Sequence, residues 1–186
     1  GYCRTAAEKL LHAERGTVLL TTGFYVAGYA ETDGPLGTVA VAEALNQLGF
    51  HSVVVTDKYC KGFFELKQLD VEYVDIAADE QVYEDILDKY HPVYMISIER
   101  CGENAEHEYA NMRGVSITSE TAAIDNLFEL APEKHIPTIG VGDGGNEIGM
   151  GNVKDIISEK LELNPCVVPV DDLIIATTSN WGAYAL

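Results

Sequence analysis

The residues able to do chemistry fall in five short segments of the chain: Thr22-Gly23 leading to Glu31-Thr32-Asp33-Gly34-Pro35, then Asp57, Glu99-Arg100, the run GDGGNEIGMG from Gly142 to Gly151, and Ser179-Asn180-Trp181-Gly182. Carboxylates dominate them. Glu31 and Asp33 form a pair in which one member would serve as a general acid or base. Asp33 also suits the N-cap of a helix opening at Pro35. The glycine-rich run would aim Asp143 and Glu147 into a common space as hard oxygen ligands for Mg²⁺ or Mn²⁺. Its alternative reading is a tight turn whose glycines take positive φ, with Asn146 as a helix cap. Arg100 is suited to grip a carboxylate in fork geometry, or Glu99-Arg100 is a simple surface pair. Arg113, in a polar stretch with Tyr109 and Asn111, offers the same grip.

Some chemistries are disfavoured at once. Gly140–Gly145 formally matches G-x-G-x-x-G, yet Asp143 would face the pyrophosphate and Gly149 and Gly151 interrupt the helix that should receive it. No nucleotide cofactor is expected. The histidines at 12, 51, 91, 107 and 135 show no partner pattern and no Ser/His/Asp order.

The segments between these groups alternate. Short β-branched and aliphatic runs at 17–22, 51–56, 71–76, 93–98, 136–141 and 173–177 read as buried strands. Helical patterns occupy 2–13, 35–48, 80–90, 121–131 and 153–163, and a further helix begins near Trp181. Residues 23–34 and 99–120 read as loops, and Trp181 and Tyr184 as core. Such a rhythm predicts an α/β fold, a Rossmann-like three-layer αβα arrangement around a mainly parallel sheet. In a parallel sheet the polar turns after the strands share one edge, where ligands bind.

At 186 residues the chain suits a single domain spanning 1–186. It carries 12 Lys+Arg against 30 Asp+Glu, a formal net charge of −18. That balance argues against nucleic acid and anionic membranes, and it requires any anionic substrate to find a local cation. Cys3, Cys60, Cys101 and Cys166 form no C-x-x-C pair and read as free thiols in a reducing compartment. There is no 18-residue apolar run and no signal-peptide pattern. The start at Gly1 suggests a chain truncated at its N-terminus.

The strings ETDGP, ER-x-G (Glu99–Gly102), GVGDGGNEIGMG (Gly140–Gly151) and SNWGAYAL (Ser179–Leu186) resemble the D-glutamate cyclase family, from about Thr17 to the last residue. Glu103, Glu106 and His107 depart from the family's pattern of a basic residue followed by Asp-Gly, whereas Tyr109 and Asn111 match it. The family also continues past SNWG-x-YAL, so truncation is expected at both ends. The resemblance implies a lyase of D-amino acid metabolism that closes D-glutamate to 5-oxo-D-proline and water. It places the protein in the bacterial cytoplasm or the mitochondrial matrix of an animal. It implies a small-molecule partner, D-glutamate, with the enzyme alone or as a homo-oligomer.

That reaction assigns expected roles. Glu31 or Asp33 would deprotonate the amine. Asp143 and Glu147 would hold a divalent cation, Mn²⁺ or Mg²⁺, at the γ-carboxylate. Arg100 would fix the α-carboxylate, and Ser179 and Asn180 would hydrogen-bond the tetrahedral oxyanion. Thr22, Gly23, Tyr109, Asn111, Arg113 and Asn146 complete the expected substrate contacts. The residues themselves also admit a nucleotide- or metabolite-binding module without turnover, or a metal-dependent phosphate hydrolase using Asp33, Asp143 and Glu147.

Overall fold

The computed structural model describes residues 1–186, apart from the side chain of Leu66. Six strands form one sheet: β1 (Thr17–Thr22), β4 (His51–Asp57), β5 (Asp70–Val74), β6 (Tyr94–Ile98), β7 (Thr138–Gly142) and β8 (Asp172–Ile175). Their order is β5-β4-β1-β6-β7-β8, and every neighbouring pair is parallel. The chain therefore reverses its direction of growth between β1 and β6, the switch point at which such sheets open a crevice.

The strands read as apolar runs because both faces are covered. Val18, Leu20, Val54, Ile96 and Ile98 point to one layer, formed by α1 (Tyr2–His12), α2 (Pro35–Gln47) and α6 (Ser179–Ala185). Leu19, Val53, Val55 and Met95 point to the other, formed by α3 (Gln81–Tyr90), α4 (Asn126–Leu130) and α5 (Lys154–Lys160). The alternation is the period-2 pleat of a strand. The Rossmann-like three-layer expectation holds. All four cysteines are free.

Several local expectations are corrected. The loop at 23–34 contains a small antiparallel hairpin, β2 (Tyr25–Val26) with β3 (Tyr29–Ala30). Its turn residues Ala27 and Gly28 both have positive φ, the geometry that matches strand twist in two-residue hairpins. The helix expected at 121–131 begins only at Asn126. Upstream, the Ala122 carbonyl accepts from Arg100 Nη2 at 2.7 Å and the Thr121 hydroxyl bonds back to Ile117, so this backbone serves other partners. Likewise α5 starts after a 3₁₀ turn at Met150–Val153. Trp181 and Tyr184 are not core: they are 65% and 57% exposed, because α6 packs inward through its small residues, Ala183 against Gly37 of α2 and Gly182 against Val141 and Ile174 of the sheet.

Candidate functional site

Four strand ends deliver carboxylates or their supports to one edge. The segment after β1 returns through the hairpin to Glu31 and Asp33. Past β6 stands Glu99, held at φ 49°, a left-handed conformation costing a non-glycine residue on the order of 1 kcal/mol. Its amide continues the ladder to the Val141 carbonyl at 3.0 Å, so strand pairing holds the strained residue in place. After β7 comes Asp143, and after β8 comes the start of α6.

Asp33, Glu99 and Asp143 each offer an oxygen within 4.8 Å of the other two. Glu99 is buried, Asp33 half-buried and Asp143 open to the cleft. Gly34 permits the approach. It sits at φ 98°, and a Cβ there would lie 2.6 Å from Thr22 Oγ1 and 2.7 Å from Glu99 Cβ. The cluster floors a cleft of about 470 Å³. Glu31, Asn111, Arg113 and Asn146 also line it, and Phe24, Val26, Met112 and Ile117 add an apolar wall. Arg113 is the only cationic side chain among its described lining residues. Two other depressions lack this chemistry. One is apolar, between α1, α2 and α6. The other, about 920 Å³, lies at the opposite sheet edge around Tyr94 and His135.

Crowding raises these acids. Burial, then the charges of Asp33 and Glu147, pushes Glu31 up to about 7. Burial, then Glu147 and Asp33, pushes Asp143 up to about 7. Burial, then Glu147, holds Glu99 well above the usual carboxylate range despite the hydroxyl of Ser179. The folded chain thus binds protons more tightly than the unfolded one, so stability falls as pH rises from about 4 through 7. The paired carboxylates Glu65, Glu72 and Asp88 shift the opposite way. Their contribution changes below about pH 4.5 and stays outside the window from 5.5 to 7.5. Asp143 is the most exposed of the cluster and the most screened. Allowing for that, the set is worth on the order of 2 kcal/mol, or about 5 °C for a domain of this size. The metal-free protein is therefore expected to melt about 5 °C higher at pH 5.5 than at pH 7.5. A flat melting temperature across that window contradicts the crowding.

Several expected site residues have other duties. Glu147 is not free to pair with Asp143 as a ligand. Its Oε1 accepts from the amides of Asp143 (3.3 Å) and Gly144 (2.6 Å), and its Oε2 from Gly145 (2.7 Å). It organises the turn, and Glu99 takes its place in the cluster. Arg100 cannot grip a substrate, nor is Glu99-Arg100 a surface pair, because Arg100 is fully buried. Its Nη1 reaches Asp57 Oδ2 at 2.7 Å and the Gly23 carbonyl at 2.9 Å. Gly23 thus serves the Arg100 anchor. Tyr109 is buried and donates to Asp125 Oδ1 at 2.6 Å. Asn146 caps no helix, since its Nδ2 binds the Ala110 carbonyl at 2.8 Å.

Asp33 does not cap α2. Its Oδ2 accepts from the Ser179 amide (3.0 Å) and its Oδ1 from the Asn180 amide (2.7 Å), so it caps α6. Asn180 in turn accepts from the amides of Gly34 (3.0 Å) and Gly37 (2.7 Å), capping α2. The Ser179 hydroxyl donates to Glu99 Oε2. Neither side chain is left to meet an oxyanion. Thr22 Oγ1 is buried without a partner among the described residues, at the foot of the cluster beside Gly34. Only Glu31, Asp33, Asp143, Asn111, Arg113 and Asn146 of the expected set line the cleft.

A family described as "D-glutamate cyclase-like, C-terminal" matches residues 1–186. The chain belongs to this family. A curated human relative, D-glutamate cyclase, mitochondrial, is 34% identical over 97% of the chain. The chain spans about a third, 33%, of that relative's length. Among solved structures, the WbmG enzyme of Bordetella bronchiseptica in complex with NAD is 13% identical, with TM-score 0.47, covering 94% of this chain and 48% of that one. UDP-glucose 4-epimerase from Thermotoga maritima is 19% identical with TM-score 0.45, covering 69% and 38%. Likenesses of this size carry no argument about ligands, and the strand order alone establishes the fold. Among the described residues no helix is long and apolar enough to cross a membrane.

Proposed function

We propose that this cleft closes D-glutamate to 5-oxo-D-proline and water, within one domain spanning residues 1–186. The family match over the whole chain carries the reading. The cleft supports it with an acid near neutrality, a carboxylate cluster and one arginine. The donor set is three hard oxygens with no cation of the protein inside it, which fits Mn²⁺ or Mg²⁺. A divalent cation held by Asp33, Glu99 and Asp143 would supply positive charge against the substrate's γ-carboxylate.

The chain's own groups do the rest. Arg113, with Asn111 beside it, holds the α-carboxylate at the mouth. The substrate is thereby folded end to end, and fixing that conformation is worth several kcal/mol. Glu31, the acid beside the cluster that is not one of its three ligands, takes a proton from the amine. The nitrogen then attacks the γ-carbon; as the C–N bond forms and one γ-C–O bond breaks, the departing oxygen takes the proton held by Glu31 and a second proton shed by the nitrogen, and leaves as water. The apolar wall of Phe24 and Ile117 limits bulk water. Free thiols suit the reducing compartment this reading implies, a bacterial cytoplasm or a mitochondrial matrix.

A thermal-shift panel separates this reading from a nucleotide-binding module or a phosphate hydrolase. D-glutamate with Mn²⁺, at about 100 times its Kd, stabilises by about 2.7 kcal/mol, or about 5–10 °C. Stabilisation by a nucleotide or by phosphate, with none by D-glutamate, contradicts the proposal.

A further inference from the structure

The carboxylate cluster is held together by a helix that gives it no ligand. Helix α6 touches two of the three acids. Asp33 accepts from the amides of Ser179 and Asn180, and also from its neighbour Gly34 at 3.2 Å. A carboxylate has about four acceptor sites, so about one remains for a ligand. The Ser179 hydroxyl, fully buried, fixes one oxygen of Glu99. Asn180 closes the arrangement from the other side. Its Oδ1 takes the Gly34 and Gly37 amides, and its Nδ2 donates to the Thr32 carbonyl at 2.9 Å. The packing leaves no slack: a Cβ on Gly37 would lie 2.7 Å from Ala183 Cβ and 2.9 Å from Asn180 Oδ1.

We propose that α6 is the positioning element of the cluster: Asn180 and Ser179 fix Asp33 and Glu99 relative to Asp143, and so set the affinity for a divalent cation without touching it. The inference rests on the metal reading above. Supporting groups of this kind typically change metal affinity 10- to 100-fold.

The test is Mn²⁺ titration followed by electron paramagnetic resonance, with circular dichroism to confirm folding. Asn180→Ala and Ser179→Ala are each expected to weaken binding by about 10- to 100-fold. Asn180→Asp keeps the acceptor for the two glycine amides but sets an oxygen where Nδ2 donates to the Thr32 carbonyl, and is expected to bind more tightly than Asn180→Ala, short of native affinity. Tyr184→Ala, on the same helix but 57% exposed and outside the residues lining the cleft, is the control expected to bind natively. Should Asn180→Ala fail to fold, Ser179→Ala decides, since it removes a single hydroxyl. Folded variants that bind with native affinity overturn the inference and leave the metal reading standing. Asn180→Asp binding as weakly as Asn180→Ala also overturns it. A native protein that takes up no Mn²⁺ is a distinct result, which removes the metal reading and this inference with it.

Discussion

Asp143→Asn is expected to lower turnover by at least about 100-fold, the scale of losing one strong electrostatic contact in a transition state, while the metal-free fold is nearly unmoved. Asp143 holds the turn through its backbone, whose amide binds Glu147 at 3.3 Å, and asparagine keeps that amide and the side-chain size. What is lost is one of the three charges of the proposed cation site. Removing a like charge from a crowded set does not harm the metal-free protein. Glu147→Gln should behave in the opposite way. It weakens a carboxylate that serves three buried or half-buried amides, with an expected loss of about 1–3 kcal/mol of stability. Steady-state kinetics and thermal melts on the two variants check the contrast. Near-native turnover in Asp143→Asn means that GDGGNEIGMG is a structural turn only.

Arg100→Met is expected to cost about 3–5 kcal/mol, because it leaves Asp57 as an uncompensated buried charge. Asp57 is 2% exposed and loses its 2.7 Å partner, while the Gly23 and Ala122 carbonyls lose their donors. In urea the midpoint should fall without a change in slope. Adding Asp57→Asn to Arg100→Met should restore about 1 kcal/mol or more, since it removes the stranded charge and keeps an acceptor for the Tyr59 amide. A double variant no more stable than Arg100→Met would mean that the loss comes from the carbonyls, not from the charge.

Arg100 also shows where sequence reasoning stops. The six strands were legible because both-face burial writes continuous apolar runs such as Val53–Val55. The shared polar edge followed from their being parallel. The partners of each polar residue did not follow, because they come from distant strand ends. Asp33 and Asn180 are 147 positions apart, and each caps the other's helix. Nothing local separates Asp33 capping α2 from Asp33 capping α6. Glu99 carries a signal that weight on its neighbour obscures: it is the acid nearest the end of the strand beside the switch point. Glu147 looks like a ligand by type and spacing. Only three amides converging on it, with Gly145 at φ 115°, show that its charge is already satisfied.

Ring closure can be followed by proton NMR of D-glutamate incubated with the protein. With Mn²⁺ present the glutamate resonances are expected to give way to those of 5-oxoproline, and EDTA is expected to stop the conversion. A protein that binds Mn²⁺ and D-glutamate yet leaves the spectrum unchanged contradicts the claim.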